Sequence, residues 1–254
     1  MPESLSIHAL SGIPLVQSGD DLAALIVDAL DRAGLTPADG DVLVIAQKIV
    51  SKAEGRLVRL ADVNPSNEAR ALAAEVEKDP RIVELILRES SAIIRKAPNI
   101  LIVRHRLGMI GANAGIDQSN IDHRAGECAL LLPEDPDRSA ARIRASLQQR
   151  TARNFGVIIS DSANRPWRLG SIGHAIGSSG ITVLDDRRNG EDLFGRKLQV
   201  TVINRADSIA TAAMLVMGET TERVPAALVA GFEPEESAQS ASDALRPAVE
   251  DLFL

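Results

Sequence analysis

The chain is short of aromatic residues, with four Phe, one Trp and no Tyr among 254 residues. Stacking of bases on aromatic side chains is therefore almost unavailable. The formal net charge of −7 gives no basic footprint for a nucleic-acid backbone. We therefore expect no nucleic-acid partner, and a core built from aliphatic side chains and alanine.

Cysteine and long apolar runs are also scarce. The single cysteine, Cys128, excludes an intrachain disulfide and lies in an apolar segment, where an inert buried thiol is expected. No apolar run approaches the length that spans a bilayer, and no basic stretch followed by an apolar one stands near the N-terminus. We therefore expect a cytoplasmic protein with no membrane partner.

Several common catalytic patterns are missing. Neither the P-loop Gly-x-x-x-x-Gly-Lys-Ser/Thr nor the dinucleotide fingerprint Gly-x-Gly-x-x-Gly occurs. The four histidines form no pair at zinc-ligand spacing, and no serine lies in Gly-x-Ser-x-Gly. These absences argue against a zinc enzyme, a serine hydrolase and the two most familiar nucleotide-binding motifs.

Two polar segments each follow an apolar run and carry an aspartate. Residues 111–120 place Asp117 among small polar side chains, and residues 160–168 place Asp161 between hydroxyls and ahead of two arginines. Carboxylate, amide and hydroxyl oxygens at strand ends suit a divalent cation that holds a phosphate. Solvated loops explain such turns equally well, so the residue pattern leaves both interpretations open.

Hydrophobic periodicity predicts an α/β or α+β protein in which helices flank a mixed sheet. Predicted strands cover residues 5–10, 41–50, 100–103, 107–111, 128–132, 155–160, 197–204 and 223–229. Predicted helices cover a segment capped by Ser18 that ends near Gly34, and residues 67–79, 81–95, 138–152 and 207–217. Residues 170–180, with four glycines, are predicted to form a close-packed or phosphate-approaching loop.

Four motifs occur in the order found in one family, at residues 50–56, 112–120, 131–137 and 160–168. On these motifs the chain resembles the coenzyme F420:L-glutamate ligases, the GTP-dependent gamma-glutamyl ligases, from about Gly12 to Gly231. The resemblance implies an α+β fold of the gamma-glutamyl ligase type in an intertwined homodimer. We expect a ligase core over residues 1–232, as one body or two closely associated subdomains, and a C-terminal segment over residues 233–254.

The resemblance also implies substrates and ions. The substrates are GTP, L-glutamate and a carboxylate acceptor, which is a deazaflavin precursor of coenzyme F420. The ions are two divalent cations, Mg²⁺ or Mn²⁺, and one monovalent cation, K⁺. The acceptor carboxylate is phosphorylated by GTP, and the amine of glutamate then displaces phosphate from the acyl phosphate.

The site residues implied by the resemblance fall into three groups. Asp117 and Asp161 hold metal, with Ser162 as a further ligand. By their charge, Arg165 and Arg168 are candidates for gripping the acceptor's phosphate or a glutamate carboxylate, and structural ion pairing explains them equally well. The nucleotide contacts are Ile13, Pro14, Leu15, Val16, Gln47, Lys52 and Asn120.

Two places depart from the family pattern, and one of them is Gln47, where the family often has Ser near the nucleotide. Where the family typically has Gln, Thr and Asp, this chain has Ser171, Ile172 and Gly173. The departure leaves three alternatives beside the F420 ligase. These are a paralogous ligase for another carboxylate acceptor, a catalytically silent nucleotide-binding protein, and a metal-dependent nucleotide phosphohydrolase.

Overall fold

The computed structural model describes residues 2–124, 126–235 and 237–252. These residues group into two compact units. The first unit takes the described residues up to Val16, those of Asp20–Val50 and those of Asp135–Ala244. The second unit takes Gln17–Gly19, the described residues of Ser51–Glu134 and those from Leu245 onward. Residues 236, 253 and 254 of the predicted C-terminal segment lie outside the described residues.

Strands and helices alternate irregularly along the described chain. The strands are β1 (Ser6–Ala9), β2 (Val42–Ala46), β3 (Leu57–Arg59), β4 (Ser90–Ala97), β5 (Ile100–His105), β6 (Ile110–Ala112), β7 (Cys128–Leu130), β8 (Gly156–Ala163), β9 (Ile172–Ser179), β10 (Leu184–Asp186), β11 (Val202–Asn204) and β12 (Ala226–Ala230). The α-helices are α1 (Leu22–Ala33), α2 (Gln47–Ala53), α3 (Asn67–Val76), α4 (Pro80–Arg88), α5 (Pro136–Thr151) and α6 (Arg205–Met217). This arrangement confirms the predicted mixed α+β class. None of the helices in the described ranges combines the length and apolar character needed to cross a membrane.

The first unit is built on a five-stranded sheet in the order β1-β12-β2-β8-β9. Strands β2 and β8 are parallel, and the other neighbours are antiparallel. The central strand β2 is apolar along its whole length, as expected for a strand that is covered on both faces. Helix α6 packs against β9 and β12, and helix α5 packs against β8 and β9. The buried core between the sheet and α6 includes Val44, Ile158, Ala210 and Ala213.

The second unit contains a three-stranded antiparallel sheet, β4-β5-β6, and a two-stranded antiparallel sheet, β3-β7. Helices α3 and α4 each supply four of the buried side chains of its hydrophobic core, among them Leu72, Val83 and Ile86. Leu101 and Val103 of β5 belong to the same core. Cys128 is buried, as the sequence predicted.

Helix α1 begins later than the sequence predicted. Its N-cap is Asp21, whose carboxylate accepts a hydrogen bond from the N–H of Ala24, so Ser18 does not cap it. An aspartate satisfies an exposed helix donor as well as a serine does, so the two candidates could not be told apart by residue type. The predicted end is confirmed, because Gly34 adopts the left-handed conformation that terminates the helix.

The predicted strands over residues 107–111 and 197–204 form only in part, as Ile110–Ala112 and Val202–Asn204, and in two further segments strand and helix were exchanged. Residues 47–50 belong to helix α2 and not to the end of a strand, and residues 90–95 belong to β4 and not to a helix. Both segments are short and mix polar with apolar residues, and periodicity over so few residues does not separate a strand from a helix. Pairing with β5, which lies later in the chain, makes residues 90–97 a strand.

Residues 172–179 form strand β9, so the predicted glycine-rich loop over residues 170–180 is wrong for most of its length. The glycines are explained by close packing. A Cβ at Gly173 would lie 2.6 Å from the carbonyl oxygen of Ala210 on α6, and one at Gly177 would lie 2.4 Å from the backbone of Pro136 on α5. Glycine therefore lets two helices approach the strand backbone directly.

Candidate functional site

Asp117 lies in the second unit, between β6 and β7. Its N–H donates to the carbonyl of Leu130 (3.1 Å), and the N–H of Leu130 donates to the carbonyl of Asp117 (2.8 Å). Its carboxylate accepts hydrogen bonds from the N–H of Ser119 (2.7 Å) and from the Ser119 hydroxyl (2.9 Å). The main chain and the side chain of Asp117 are therefore both held in place.

Lys52 contacts the same polar segment. It lies on α2, and its Nζ donates to the backbone carbonyl of Asn120 at 2.7 Å. Asn120 has a left-handed backbone (φ 54), which turns the chain after Asp117. The structure thus brings together Lys52 and Asn120, two predicted nucleotide contacts that are far apart in the sequence, within a few residues of Asp117.

Asp161 lies in the first unit, inside β8. The prediction that it follows the end of the strand is wrong, because pairing with β9 continues through Ala163 and places His174 opposite Asp161. The ladder is irregular just before it, between Ile159 and Ser160. His174 Nδ1 lies 3.1 Å from the backbone carbonyl of Asp161. A carbonyl only accepts, so Nδ1 is the protonated nitrogen.

Glu219 was not identified from the sequence, although it contacts a predicted ligand. It follows helix α6, and its carboxylate accepts a hydrogen bond from the hydroxyl of Ser162. Ser162 and Glu219 therefore place oxygen donors together in the first unit, at the residue that follows Asp161 in β8. No local signal in the sequence links Glu219 to Ser162, because the two residues are separated by β9, the β10–β11 pair and α6.

The donor chemistry of these residues fits a hard divalent cation. Carboxylate and hydroxyl oxygens are the ligands that Mg²⁺ and Mn²⁺ prefer. Across the described ranges, no three His, Cys, Asp or Glu side chains gather closely enough to hold a metal ion by themselves. Mg²⁺ commonly takes only one or two carboxylates and completes its shell with phosphate oxygens and water. Asp117 and Asp161, each within its own unit, therefore supply the kind of oxygen ligand that such an ion takes.

The two predicted arginines differ in their surroundings. Arg165 Nη1 is buried and has no hydrogen-bond partner in the part of the chain that the structure describes. Buried donors are normally paired, so this nitrogen points to an anionic group that would bind there. Arg168 is exposed, between Trp167 (87% exposed) and the fully exposed Leu169.

The remaining predicted nucleotide residues are in the first unit, and several of them are buried. Ile13 and Val16 belong to the core, whereas Leu15 is exposed. Gln47 is the buried first residue of α2. Their contacts to a nucleotide stay a prediction, as does that of Pro14.

A buried charge cluster connects two of the family motifs in the second unit. Arg56 donates from Nε to the carbonyl of Leu132 (2.9 Å) and from Nη2 to the carboxylate of Glu89 (2.9 Å). Arg106 donates to the same carboxylate at 3.2 Å, and Nε2 of His105 lies 3.4 Å away from it. Arg56 therefore joins the motif at residues 50–56 to Leu132 of the motif at residues 131–137.

The charges of this cluster change the acidity of Glu89. Burial opposes its ionisation, but the His105 imidazole and the Arg56 and Arg106 guanidinium groups outweigh burial and lower the pKa of Glu89 to about 2. The N–H of Leu107 donates to Nδ1 of His105, so the proton of a neutral imidazole is on Nε2, facing the carboxylate. Glu89 is therefore ionised at neutral pH.

An apolar cavity of about 540 Å³ lies elsewhere in the first unit. Ile7, Val229 and Phe232 are among its lining residues, and none of the predicted site residues lines it. Val229 pairs with Val42 at the start of β2, whereas Asp161 follows Ser160, which pairs with Ala46 at the end of β2. The cavity is therefore at the opposite end of the sheet from Asp161.

The comparisons with known proteins assign the chain to a family of ligases. The family model described as F420-0:gamma-glutamyl ligase matches residues 12–231. The chain therefore belongs to this family, which confirms the resemblance found in the sequence.

Individual relatives match over most of their length. The chain is 46% identical over 228 residues (90% of this chain, 89% of the relative) to the coenzyme F420:L-glutamate ligase of Methanothermobacter thermautotrophicus. It is 44% identical over 242 residues (94% and 93%) to the protein of the same name from Methanopyrus kandleri. With the protein of that name from Methanocaldococcus jannaschii it shares 41% identity over 215 residues (85% of each chain).

Proposed function

We propose that this protein is a cytoplasmic ligase that uses GTP and a divalent metal ion to join L-glutamate to a deazaflavin precursor of coenzyme F420. The observation that carries the proposal is the contact of Lys52 with Asn120, three residues after Asp117, within the range 12–231 that the family model matches. A lysine that is held against the segment carrying a carboxylate suits a nucleotide phosphate and its metal ion.

The reaction follows from the weakness of a carboxylate as an acyl donor. An oxygen of the acceptor carboxylate attacks the γ-phosphorus of GTP, GDP leaves, and an acyl phosphate results. The amine of glutamate then attacks the acyl carbon, phosphate leaves, and the amine loses a proton. Bound Mg²⁺ or Mn²⁺ would neutralise negative charge on the phosphoryl oxygens.

The chain's own residues have distinct roles in this proposal. Asp117 and Asp161 hold the divalent ions, and Ser162, the residue after Asp161, adds a hydroxyl oxygen that contacts the Glu219 carboxylate. Lys52 places a positive charge near the phosphates. The unpaired Nη1 of Arg165 suits a carboxylate of glutamate or of the acceptor, because a guanidinium binds carboxylates with directed hydrogen bonds. K⁺ as the monovalent cation stays a prediction without assigned residues.

We also propose that the protein forms a homodimer, as the resemblance implies. The segment that joins β10 to β11 in the first unit exposes Leu193 (98% exposed), Phe194 (94%) and Val200 (86%). Large apolar side chains grouped on a surface are typical of a protein interface. A second copy of this chain would remove them from water.

The test is release of phosphate from GTP by the purified protein with Mn²⁺ or Mg²⁺. It is run with and without L-glutamate and the glutamate-free coenzyme, with mass spectrometry of the acceptor. We expect release that requires both substrates, and an acceptor heavier by one or more glutamyl residues. Release without glutamate would instead indicate a phosphohydrolase. GTP binding with no transfer would favour another carboxylate acceptor or a silent homologue.

A further inference from the structure

The backbone just before Asp117 has an unusual conformation. Asn113 (φ 53), Ala114 (φ 56) and Gly115 (φ 66) are left-handed at three consecutive positions. Residues with a Cβ rarely adopt this conformation, and asparagine tolerates it better than most. Two of the three residues carry a Cβ, so contacts from elsewhere must hold the turn.

Three contacts hold it. Oδ1 of Asn113 accepts a hydrogen bond from the N–H of Leu101 on β5 (3.1 Å), and the carbonyl of Asn113 accepts one from the N–H of Ile116 (3.0 Å). Ala114 is buried in the core of the second unit. A Cβ at Gly115 would lie 2.9 Å from side-chain atoms of Leu132, so the chain is confined on that side as well.

The turn determines the direction in which the chain reaches Asp117. From Asp117 the main chain pairs with Leu130, and the carboxylate is fixed by Ser119. Asn113 is the only one of the three left-handed residues that has a polar side chain, and that side chain joins the turn to β5. Strained backbone that is held by its surroundings is common at functional sites.

We propose that Asn113 is a positioning residue, which sets the place of the Asp117 carboxylate and thereby the affinity for the divalent ion. This inference rests on the proposed function, in which Asp117 is a metal ligand. A merely structural role would give Asn113 an effect on stability alone. Metal affinity therefore separates the two roles.

The experiment compares Asn113→Ala with a matched control in the same unit. Asn99 is also left-handed (φ 62), and it lies in the turn between β4 and β5. Its backbone N–H donates to Val76 (2.7 Å), and its carbonyl accepts from Lys78 (2.8 Å). Asn99→Ala therefore imposes a similar backbone penalty at a turn that does not lead to Asp117.

Mn²⁺ binding to each variant is measured by the electron paramagnetic resonance of free Mn²⁺, with and without GTP. The unfolding transition of each metal-free variant is measured in parallel.

We expect Asn113→Ala to raise the Kd for Mn²⁺ by about 10-fold or more, the effect typical of losing a group that orients a ligand. Asn99→Ala should lose similar stability and keep the wild-type Kd. Asn113→Gly should have a smaller effect than alanine, because glycine adopts the left-handed turn without strain but lacks the acceptor for Leu101.

The results that would overturn the inference differ from those that would overturn the proposed function. An unchanged Kd in Asn113→Ala, or an equal rise in Asn99→Ala, would overturn the inference. If Asn113→Ala does not fold, Asn113→Gly decides, and a Kd equal to that of wild type overturns the inference. Asp117→Asn tests the proposed function itself. If this variant binds Mn²⁺ as wild type does, or if wild type binds none in either condition, the metal role of Asp117 fails, and the inference fails with it.

Discussion

The buried Glu89 carboxylate is expected to be a major electrostatic contributor to the stability of the second unit. Its pKa is lowered from 4.5 to about 2 in the folded protein, where burial is outweighed by His105, Arg56 and Arg106. A shift of this size corresponds to about 3 kcal/mol of folding free energy. Only a ninth of the Glu89 side chain is exposed (11%), so screening by water reduces this figure little.

The sign of the pH dependence follows from the direction of the shift. The folded state holds the ionised form more strongly than the unfolded state does. The stabilisation is therefore complete well above pH 4.5 and is lost as the pH falls from 4.5 towards 2. Acid should weaken the wild-type protein through this group over that range.

The perturbation is Glu89→Gln, which keeps the shape of the side chain and removes the charge. At about pH 7 the variant should be less stable by about 2–4 kcal/mol, because Arg56 and Arg106 lose the counter-charge that they share. At about pH 3 the difference should shrink by roughly half or more, because the Glu89 carboxyl of the unfolded wild type is then largely protonated while that of the folded state is still mostly ionised. The assay is urea unfolding of both proteins at the two pH values.

A matched control is available in the same unit. Glu127 pairs with Arg81 at 2.7 Å, but its side chain is 67% exposed. Glu127→Gln should change the unfolding free energy much less, because exposed ion pairs contribute little. The reasoning is refuted if Glu89→Gln costs the same at both pH values, or if its effect at neutral pH is no larger than that of Glu127→Gln.

Three further predictions concern the site, the surface and the sheet. Asp117→Asn and Asp161→Asn should each lower GTP-dependent glutamyl transfer by about 100-fold or more with an unchanged circular dichroism spectrum, and near-normal transfer in both would contradict the metal assignment. Phe194→Asp should convert a dimer to a monomer in light scattering after gel filtration, because it places a charge among apolar side chains at the proposed interface; a persistent dimer would locate the interface elsewhere. Gly173→Ala should destabilise the protein by about 1–3 kcal/mol in thermal unfolding, since its Cβ meets the Ala210 carbonyl, and an unchanged melting temperature would show that α6 shifts freely.

Short-range chemistry made part of the fold predictable. The end of α1 at Gly34 was correct because a glycine in the left-handed conformation is a local signal that acts within one turn of the helix. The buried strands β2 and β8 were recognised from continuous apolar runs. The strand β4 was mistaken for a helix because its own residue pattern does not distinguish the two, and pairing with β5 across the short turn at residues 98–99 makes it a strand.

In the candidate site, too, residues in local motifs were predicted from the sequence, and a residue placed by distant contacts was not. Asp117, Lys52 and Asn120 were identified because they lie in ordered family motifs, and the structure brings Lys52 to Asn120. Glu219 was missed because it has no motif of its own and reaches Ser162 only after α6 has packed on the sheet.

By itself, the sequence determined the family, the α+β class, an aliphatic core with a buried Cys128, and the residues on which the chemistry is proposed to depend. These features depend on residue identity and order, which are complete in the chain before it folds. Only the tertiary structure decided that Glu89 lies between two arginines and a histidine, and that three left-handed residues precede Asp117. The physical reason is the sequence separation of the interacting residues. Propensity and capping act over a few neighbours, whereas ion pairs and strained turns are held by contacts between residues that are distant in the chain.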